Sequence, residues 1–425
     1  METKQQRAII VGVELQHDDH FAYAMEELRN LAAACEIEVI GELTQKASRI
    51  NPSHYLGTGK VQELARLLEE DEEAAVIFND ELSPSQIRNL EADLDRQVID
   101  RTVLILNIFA ERAKTKEAQL QVEVARLQYL LPRLSGMREA LGRQGGGAGL
   151  KNKGTGETQL ELDRRRIEER ITALQRELHS MVLRRQLQRK QRHKNEVPVV
   201  CLVGYTNSGK SSLMNALVDT YHPGEEKEVL AKNMLFATLE TAVRSIELPD
   251  HKTFLLTDTV GFVSRLPHHL VKAFRSTLEE VAEADLLVHV ADSADPQVAQ
   301  HMEVTTETLK ALGADGIPTI FAYNKADLAG RPYPLVEGDT LSLSATERKG
   351  IDELTDMIRA RVFTDFIRCE ILVPYDRGSL VSYFNENAHI RETSYEEEGT
   401  RLLLECKLSD YEKYKNDFTE LSREA

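Results

Sequence analysis

Three short segments carry residue types that together could bind and cleave a nucleoside triphosphate. The first runs Gly204, Tyr205, Thr206, Asn207, Ser208, Gly209, Lys210, Ser211 and fits G-x-x-x-x-G-K-[ST], with Ser212 next in a helical pattern. Glycine-flanked backbone N–H groups can wrap phosphate oxygens, the Lys210 amine can reach the β and γ phosphates, and the Ser211 hydroxyl can ligate Mg2+. The second is a D-x-x-G segment, Asp258, Thr259, Val260 and Gly261, at the end of an apolar run. Asp258 can hold magnesium through water, and Gly261 can turn its N–H toward the γ phosphate with no Cβ in the way. Alone, such a segment reads equally well as a surface turn. The third, Asn324, Lys325, Ala326 and Asp327, supplies base choice. An ionised Asp327 accepts from both N1–H and the exocyclic N2–H of guanine, donors that adenine lacks. Lys325 would lie along the ring face, Asn324 would brace the phosphate loop, and Ser344 and Ala345 would bring a backbone N–H to guanine O6. The order and spacing predict GTP as substrate, Mg2+ as cofactor, and GDP and phosphate as products.

Between the loop and Asp258 lies the stretch Asn233 to Thr241, the expected first switch. Within it Phe236, Ala237 and Thr238 are expected to line the nucleotide. Thr238 would complete magnesium coordination while the γ phosphate is present and release the segment afterwards, with Thr241 as the alternative. Lys210 and Thr238 are thus the expected catalytic residues, and Ser211, Thr238 and Asp258 the expected metal ligands. One group is missing: the residue after Gly261 is Phe262, where many GTPases place a glutamine that orients the attacking water. A phenyl ring cannot do this. Slow intrinsic hydrolysis is expected, with a polar group supplied by a partner or another domain.

Such loops need a sheet to hold them. Apolar runs at Val197–Val203, Thr253–Leu256, Leu286–Val290 and Ile317–Tyr323, with helical patterns between, predict a doubly wound parallel sheet over residues 196–363. Residues 1–112 show the same alternation on a smaller scale and predict an N-terminal parallel α/β domain, in which Ser83 and Pro84 form a helix start. Over residues 113–195, Leu120, Val124, Leu127, Leu131 and Leu134 step at heptad spacing, as do Ile167, Ile171, Leu174, Leu178 and Met181. Two seams of matching length predict an antiparallel coiled-coil hairpin, kinked at Pro132. Its tip, residues 142–156, is rich in glycine and carries Arg143, Lys151 and Lys153. An RNA contact is expected there, with a solvated spacer as the bland alternative. Residues 364–425 predict a small α+β domain with strands at Glu370–Val373 and Arg401–Cys406 and a helix over Leu408–Leu421. The fold class is multidomain α/β.

A chain of 425 residues, 41% hydrophobic, can fill several cores. Its start lacks an apolar segment, and its longest apolar stretch, near Thr102–Ala110, is far short of a membrane span. A soluble cytoplasmic protein is expected, and nothing demands more than a monomer. The four scattered cysteines, Cys35, Cys201, Cys369 and Cys406, read as reduced core thiols. A formal net charge of −17 would repel a polyanion. Yet Arg184, Arg185, Arg189, Lys190, Arg192 and Lys194 follow one another with no acid among them, so an acidic chain carries a local basic element.

Outside the nucleotide segments the chain resembles the HflX family of ribosome-associated GTPases over essentially its full length. The resemblance rests on Tyr55–Leu64 (YLGTGKVQEL), Glu81–Glu91 (ELSPSQIRNLE), Asp100–Thr102 (DRT), Thr115–Glu117 with Leu131–Leu134 (TKE, LPRL), and Gly154–Arg166 (GTGETQLELDRRR). It implies binding to the large (50S) ribosomal subunit in the GTP state, with the hairpin tip at ribosomal RNA near the peptidyl transferase region. It also implies hydrolysis stimulated by that subunit, a role in splitting or rescuing stalled ribosomes, and ATP binding by the N-terminal domain. Gly57–Lys60 is a candidate for the ATP contact, although a lone G-x-G-K before a helix also reads as a helix-entry turn. The first switch departs from the family pattern: T-L-D-P-T-T-R is replaced by Thr238–Arg244 (TLETAVR). The alternative to a ribosome-splitting GTPase is a nucleotide-gated RNA-binding scaffold or remodeller that works through ATP at its N-terminal domain.

Overall fold

The computed structural model describes residues 6–16, 18, 20–134, 153–194, 197–222, 236, 241–265, 270 and 281–424; in the helix at 153–194, side chains are described for 161–181 and 183. Short apolar runs, each closed by a polar or turn residue, become β1 (Arg7–Leu15), β2 (Glu38–Ala47), β3 (Ala75–Phe78) and β4 (Val98–Asp100), in the parallel order β2-β1-β3-β4. Between them run α1 (Phe21–Ala34), α2 (Thr58–Leu68) and α3 (Pro84–Leu94). Ser83 starts α3 as expected: its hydroxyl accepts from the Gln86 N–H, and the Gln86 side chain accepts from the Ser83 N–H in a reciprocal capping box. Both faces of the sheet are covered. Val11, Leu64 and Phe78 fill one side, and Ile10, Leu28 and Ile77 the other.

Asp100 closes β4 and caps α4 (Arg101–Arg112), accepting from the Val103 N–H. It is fully buried and also accepts from the Tyr129 hydroxyl at 2.8 Å and the Leu82 N–H at 3.1 Å. Burial pushes its carboxyl above the ordinary range, and these hydrogen bonds oppose that shift. Tyr129 lies on α5 (Lys116–Leu130), which has two apolar faces. Ala118, Val122 and Ala125 pack into the N-terminal core, while Leu120 and Val124 face α6 (Lys153–Lys194). There they meet Leu174, flanked by Leu127, Leu178 and Met181. Arg170 reaches Glu123 at 2.9 Å, and Lys116 pairs with Glu177, which sets the antiparallel register. The hairpin is present, but its arms differ. α5 spans 15 residues and α6 spans 42; at Pro132, where a kink was expected, α5 passes into a 3-10 turn at Leu131–Arg133, and Leu134 is helical again.

A seven-stranded sheet follows, in the order β10-β11-β9-β8-β5-β7-β6. It is built from β5 (Val199–Val203), β6 (Ala242–Glu247), β7 (Thr253–Asp258), β8 (Leu286–Asp292), β9 (Thr319–Asn324), β10 (Leu335–Glu337) and β11 (Thr340–Ser342). Helices α7 (Lys210–Tyr221), α8 (Val298–Ala311), α9 (Ala326–Ala329) and α10 (Ile351–Val362) accompany it. The sheet is parallel through its centre, but β6 and β10 pair antiparallel at its two edges. These are hairpin strands, joined by the short turns at Leu248–Lys252 and Gly338–Asp339, which the expectation of an all-parallel sheet did not include.

The last unit is an antiparallel sheet, β13-β14-β12-β15, with α11 (Gly378–Asn387) and α12 (Leu408–Tyr414) on one face. Its strands are β12 (Phe366–Val373), β13 (His389–Glu396), β14 (Gly399–Lys407) and β15 (Thr419–Glu424). The helix expected over 408–421 stops at Tyr414. Phe418 turns into the core, and the chain returns as an edge strand on β12. All four cysteines are free thiols, three of them buried and Cys35 half-buried.

Leu174 is the buried contact of the hairpin seam, 1% exposed. Leu174→Ala should cost about 2–5 kcal/mol. Amide exchange should then quicken along α5 and α6 while GDP affinity stays at the unsubstituted level. Unchanged exchange would show that the two arms do not depend on this seam.

Candidate nucleotide-binding site

The run VVCLV supplies β5, fully buried from its second residue, and the chain then turns sharply at Gly204 with φ +147°. A Cβ at Gly204 would lie 2.2 Å from the Val290 carbonyl oxygen, and one at Gly209 (φ +92°) would lie 2.1 Å from Asn324 Nδ2, so neither position admits a side chain. α7 begins at Lys210 itself, earlier than the expected start at Ser212, which aims its N-terminus into the loop. Lys210 is buried, and its Nζ donates to the carbonyls of Gly204 at 3.1 Å and Tyr205 at 2.7 Å. Burial lowers its amine to about 8, and the nearby Asp258 opposes that shift. His289, buried on β8, is held neutral: burial and then the Lys210 charge lower it to about 4.

Asp258 closes β7, and the Ser211 hydroxyl donates to its Oδ2 at 2.6 Å. A hydroxyl and a carboxylate converging at a helix start form the hard-oxygen donor set that suits Mg2+. Thr206 Oγ1 and Ser208 Oγ are buried in the same loop without a hydrogen-bond partner, as groups shaped for phosphate oxygens would be. On the base side, Asn324 Nδ2 donates to the Ser208 carbonyl at 3.0 Å, which ties β9 to the loop. Lys325, at φ +60°, is fixed by a 2.7 Å pair with Asp292. Asp327 Oδ1 is buried and has no partner, an acceptor left open for a guanine-type donor pair. Ser344 Oγ accepts from the Glu347 N–H at 3.2 Å, and Ser212 stands half-buried in the first turn of α7.

Several expected nucleotide contacts turn elsewhere. The Ala345 N–H, expected at guanine O6, donates to Asn324 Oδ1 at 3.0 Å. The Phe236 side chain, expected at the nucleotide, is instead packed in the N-terminal core. It is 2% exposed, and its ring meets Phe109 edge-on at 4.8 Å inside the N-terminal core, because an unfunctionalised ring gains more from burial than from phosphate. Val260 packs into that same core, and Thr259 Oγ1 donates to the Leu202 carbonyl at 2.7 Å, so neither side chain faces the site. Asn207, at φ +62°, is exposed at the bend of the loop. Ala237 and Thr238 lie outside the described residues; Thr241 is half-buried just before β6.

Phe262 does more than displace a glutamine. Its carbonyl accepts from the Thr206 N–H at 2.7 Å, and its own N–H donates to the Gly204 carbonyl at 3.1 Å, which zips the segment after Gly261 onto the phosphate loop. A Cβ at Gly261 would sit 2.7 Å from Thr206 Cα. The ring is 3% exposed among Tyr205, Val281 and Leu309.

The sequence reading missed a buried polar cluster that joins this segment to the N-terminal domain. Glu27 of α1, 3% exposed, accepts from Arg101, from the Tyr205 hydroxyl and from the Ser264 hydroxyl. Arg101 also donates to Asn79 Oδ1 at 3.0 Å and to the Ser264 carbonyl at 3.1 Å, and the Ser264 N–H donates to the Tyr205 hydroxyl at 2.6 Å. The Tyr205 ring stacks on His301 at 3.8 Å, and burial together with the Glu27 carboxylate pushes its phenol far up. Beside the cluster, Arg265 bridges Asp18 at 2.6 Å and Asp80 at 2.8 Å. One signal was available: Glu27 sits on the apolar face of α1 beside Ala24, Leu28 and Leu31, a carboxylate where a core side chain belongs.

A parallel sheet with a phosphate loop after its central strand, an acidic residue closing the neighbouring strand and N-K-x-D at the end of β9 define a P-loop GTPase. Family models match successive stretches: a GTP-binding GTPase N-terminal region over residues 22–110, its middle region over 112–192, a 50S ribosome-binding GTPase over 199–325 and an HflX C-terminal domain over 336–422. The GTPase HflX of Caldanaerobacter subterraneus subsp. tengcongensis is 42% identical over 97% of this chain and 94% of its own length. That of Escherichia coli is 37% identical over 93% and 92%. A GTP-binding protein from the archaeon Sulfolobus solfataricus, solved with GDP, is 24% identical over 84% of this chain and 99% of its own, with a TM-score of 0.43. The chain belongs to the HflX family and is a GTPase.

Asp327→Asn turns one acceptor into a donor. GTP affinity should fall by about 1.5–3 kcal/mol, and xanthosine triphosphate should become the preferred ligand in a competition assay; undiminished GTP binding would refute base reading by Asp327. Glu27→Ala leaves Arg101 buried and unpaired and should lower stability by about 3–5 kcal/mol in denaturant melts. Glu27→Leu with Arg101→Met removes both charges and should recover much of that loss. If the double variant is no more stable than Glu27→Ala, the charge pair is not what holds this interface.

Proposed function

We propose that this GTPase acts on the large ribosomal subunit, binding in the GTP form and hydrolysing only once the subunit completes its catalytic site, in the splitting or rescue of stalled ribosomes. The observation that carries this reading is Phe262. Its buried ring and its two main-chain bonds to the phosphate loop leave the position after Gly261 with no group able to orient water.

In this reading the backbone of 204–211 cradles the phosphates, and Lys210 exchanges its two carbonyl acceptors for phosphate oxygens, which restores full charge to its lowered amine. Ser211 and Asp258, with Thr238, would hold Mg2+, which supplies charge neutralisation as the γ phosphate departs. Asn324 sets the loop, Lys325 and Asp327 set the base, and Gly261 answers the γ phosphate by moving the segment that carries Phe262. That movement would be felt at once by Ser264 and Arg265, and so by Glu27 and Asp80 across the interface.

The hairpin gives the ribosomal partner its contact. Arg143 and Lys151 lie outside the described residues, as does the Lys153 side chain; α6 carries the backbone of the basic run 184–194 away from the seam. Among the described residues no helix is long and apolar enough to cross a membrane. The scaffold reading with ATP at Gly57–Lys60 has weaker support. Gly57 is the entry turn of α2, its N–H donates to Gln45 at 2.9 Å, and Lys60 is paired with Glu63 at 2.9 Å.

Basal GTP turnover should be slow and rise about 10²-fold or more with purified large subunits, the scale of a supplied catalytic group. Sedimentation should show the chain on those subunits with a non-hydrolysable GTP analogue and not with GDP. Fast turnover indifferent to subunits would overturn the reading.

A further inference from the structure

We propose that Asp292 is a positioning residue for nucleotide binding: by holding the Lys325 ammonium, it sets the lysine stem where the face of the guanine will lie. The proposal rests on the reading that Lys325 covers that face. Asp292 is the last residue of β8 and Asn324 the last of β9, and the parallel register sets the two side by side. The strands therefore release their chains at one level, β8 into the loop before α8 and β9 into the base-reading segment. Lys325 Nζ donates to Asp292 Oδ2 at 2.7 Å, while Oδ1 accepts from the Ala294 N–H at 3.0 Å. With both oxygens engaged, the carboxylate keeps one orientation, and the ammonium is fixed with it.

An ion pair at this place could serve the fold alone, by tying β8 to β9. That task is already met. The two strands pair from Leu287 to Asp292, and just beyond them Ser293 bonds the Asn324 carbonyl twice, with its N–H at 2.9 Å and its buried hydroxyl at 2.7 Å. The Asn324 side chain is held independently, donating to the Ser208 carbonyl and accepting from the Ala345 N–H. The backbone and side chain of Asn324 are thus set without Asp292. What Asp292 holds is the Lys325 side chain, and among the described residues it is the one ion-pair partner of that lysine.

The backbone explains why the lysine needs an anchor. Lys325 sits in the left-handed region at φ +60° and ψ 31°, which turns the chain from Asn324 at the phosphate loop to Asp327 at the base within three residues. Its long stem leaves from that bend with many rotamers open to it. Laying it against a base removes most of them, and a pair that has already restricted the stem takes part of that cost out of binding. The pair is sheltered, with the lysine and aspartate side chains 23% and 18% exposed, so solvent and salt screen it less than a surface pair. Asp327 and Asp292 then act on different aspects of the nucleotide. Asp327, with Oδ1 buried and unpartnered, reads the edge of the base, where purines differ. Lys325 covers the face, which purines share, so its anchor governs how long a nucleotide is held and leaves the choice of base alone.

The test uses the full chain and four variants: Asp292→Asn, which removes the charge and keeps an acceptor for the Ala294 N–H; Asp292→Glu, which restores the charge; Lys325→Ala; and the double variant Asp292→Asn/Lys325→Ala. Release of fluorescently labelled GDP and inosine diphosphate is followed by stopped flow, and melting midpoints without nucleotide report the fold. Asp292→Asn should release both nucleotides about 3–10-fold faster, with the ratio between them unchanged. Asp292→Glu should recover part of the loss. In steady-state turnover KM for GTP should rise while kcat holds, the mark of an interaction made equally before and during the reaction. On the Lys325→Ala background the Asp292 change should add less than about twofold, since its effect runs through the lysine. Unaltered release from Asp292→Asn would overturn the proposal, as would an equal loss with and without Lys325, a changed ratio of the two bases, or failure of Asp292→Asn to fold where Lys325→Ala does. If Lys325→Ala itself leaves release unchanged, the base-face reading falls and the anchor with it. If Lys325→Ala quickens release and Asp292→Asn does not, that reading stands and the anchor alone falls.

Discussion

The Glu27 carboxylate is the group on which the arrangement of this protein turns. A charge buried to this extent is tolerable only when every oxygen is satisfied, and its donors come from three places in the chain: Arg101 in its own domain, Tyr205 in the phosphate loop and Ser264 beyond Gly261. The N-terminal domain is therefore incomplete by itself. Its buried acid requires the phosphate loop in one place and the segment after Gly261 in another, and its hydrophobic core requires Phe236, Val260, Val263 and Leu270. Since Val260, Val263 and Ser264 flank Gly261 in the chain, the domain is packed against the segment that, in the reading proposed above, answers the γ phosphate.

The nucleotide site shows the complementary economy. Thr206 Oγ1, Ser208 Oγ and Asp327 Oδ1 are buried without partners, and Lys210 holds a proton that burial disfavours. Each of these costs stability in the protein alone and is relieved by the same ligand, so binding is driven by preorganised need instead of by rearrangement. The fold tolerates the cost because the surrounding sheet is fully buried: Val200, Leu202, Val288 and Ile320 expose nothing.

Much of this was legible in the residues because local rules carry it. The phosphate loop needs glycine at two backbone positions, Asp327 needs only its chemistry, and the alternating runs of the first hundred residues gave strands and helices within a few positions. What stayed hidden depended on tertiary partners. Phe236 looks like part of a nucleotide-lining switch until Phe109 is seen beside it, and Arg101 is an arginine in a short motif until Glu27 closes on it. The last helix was overextended because residues 415–421 lack a strong breaker, and only the open edge of β12 decides that they pair as a strand.

The two apolar faces of α5 give the hairpin a mechanical character. One face belongs to the core that holds the switches and the other to α6, so the hairpin is anchored directly in that core. At 1.5 Å per residue, 42 helical residues span about 63 Å. The α5 contact at Leu174 stands near the middle of the rod with about 32 Å on either side, so a tilt of about 5° there would sweep the far end through about 3 Å. In the reverse direction, a load borne at that far end arrives at the switches as torque, reduced in travel and multiplied in force.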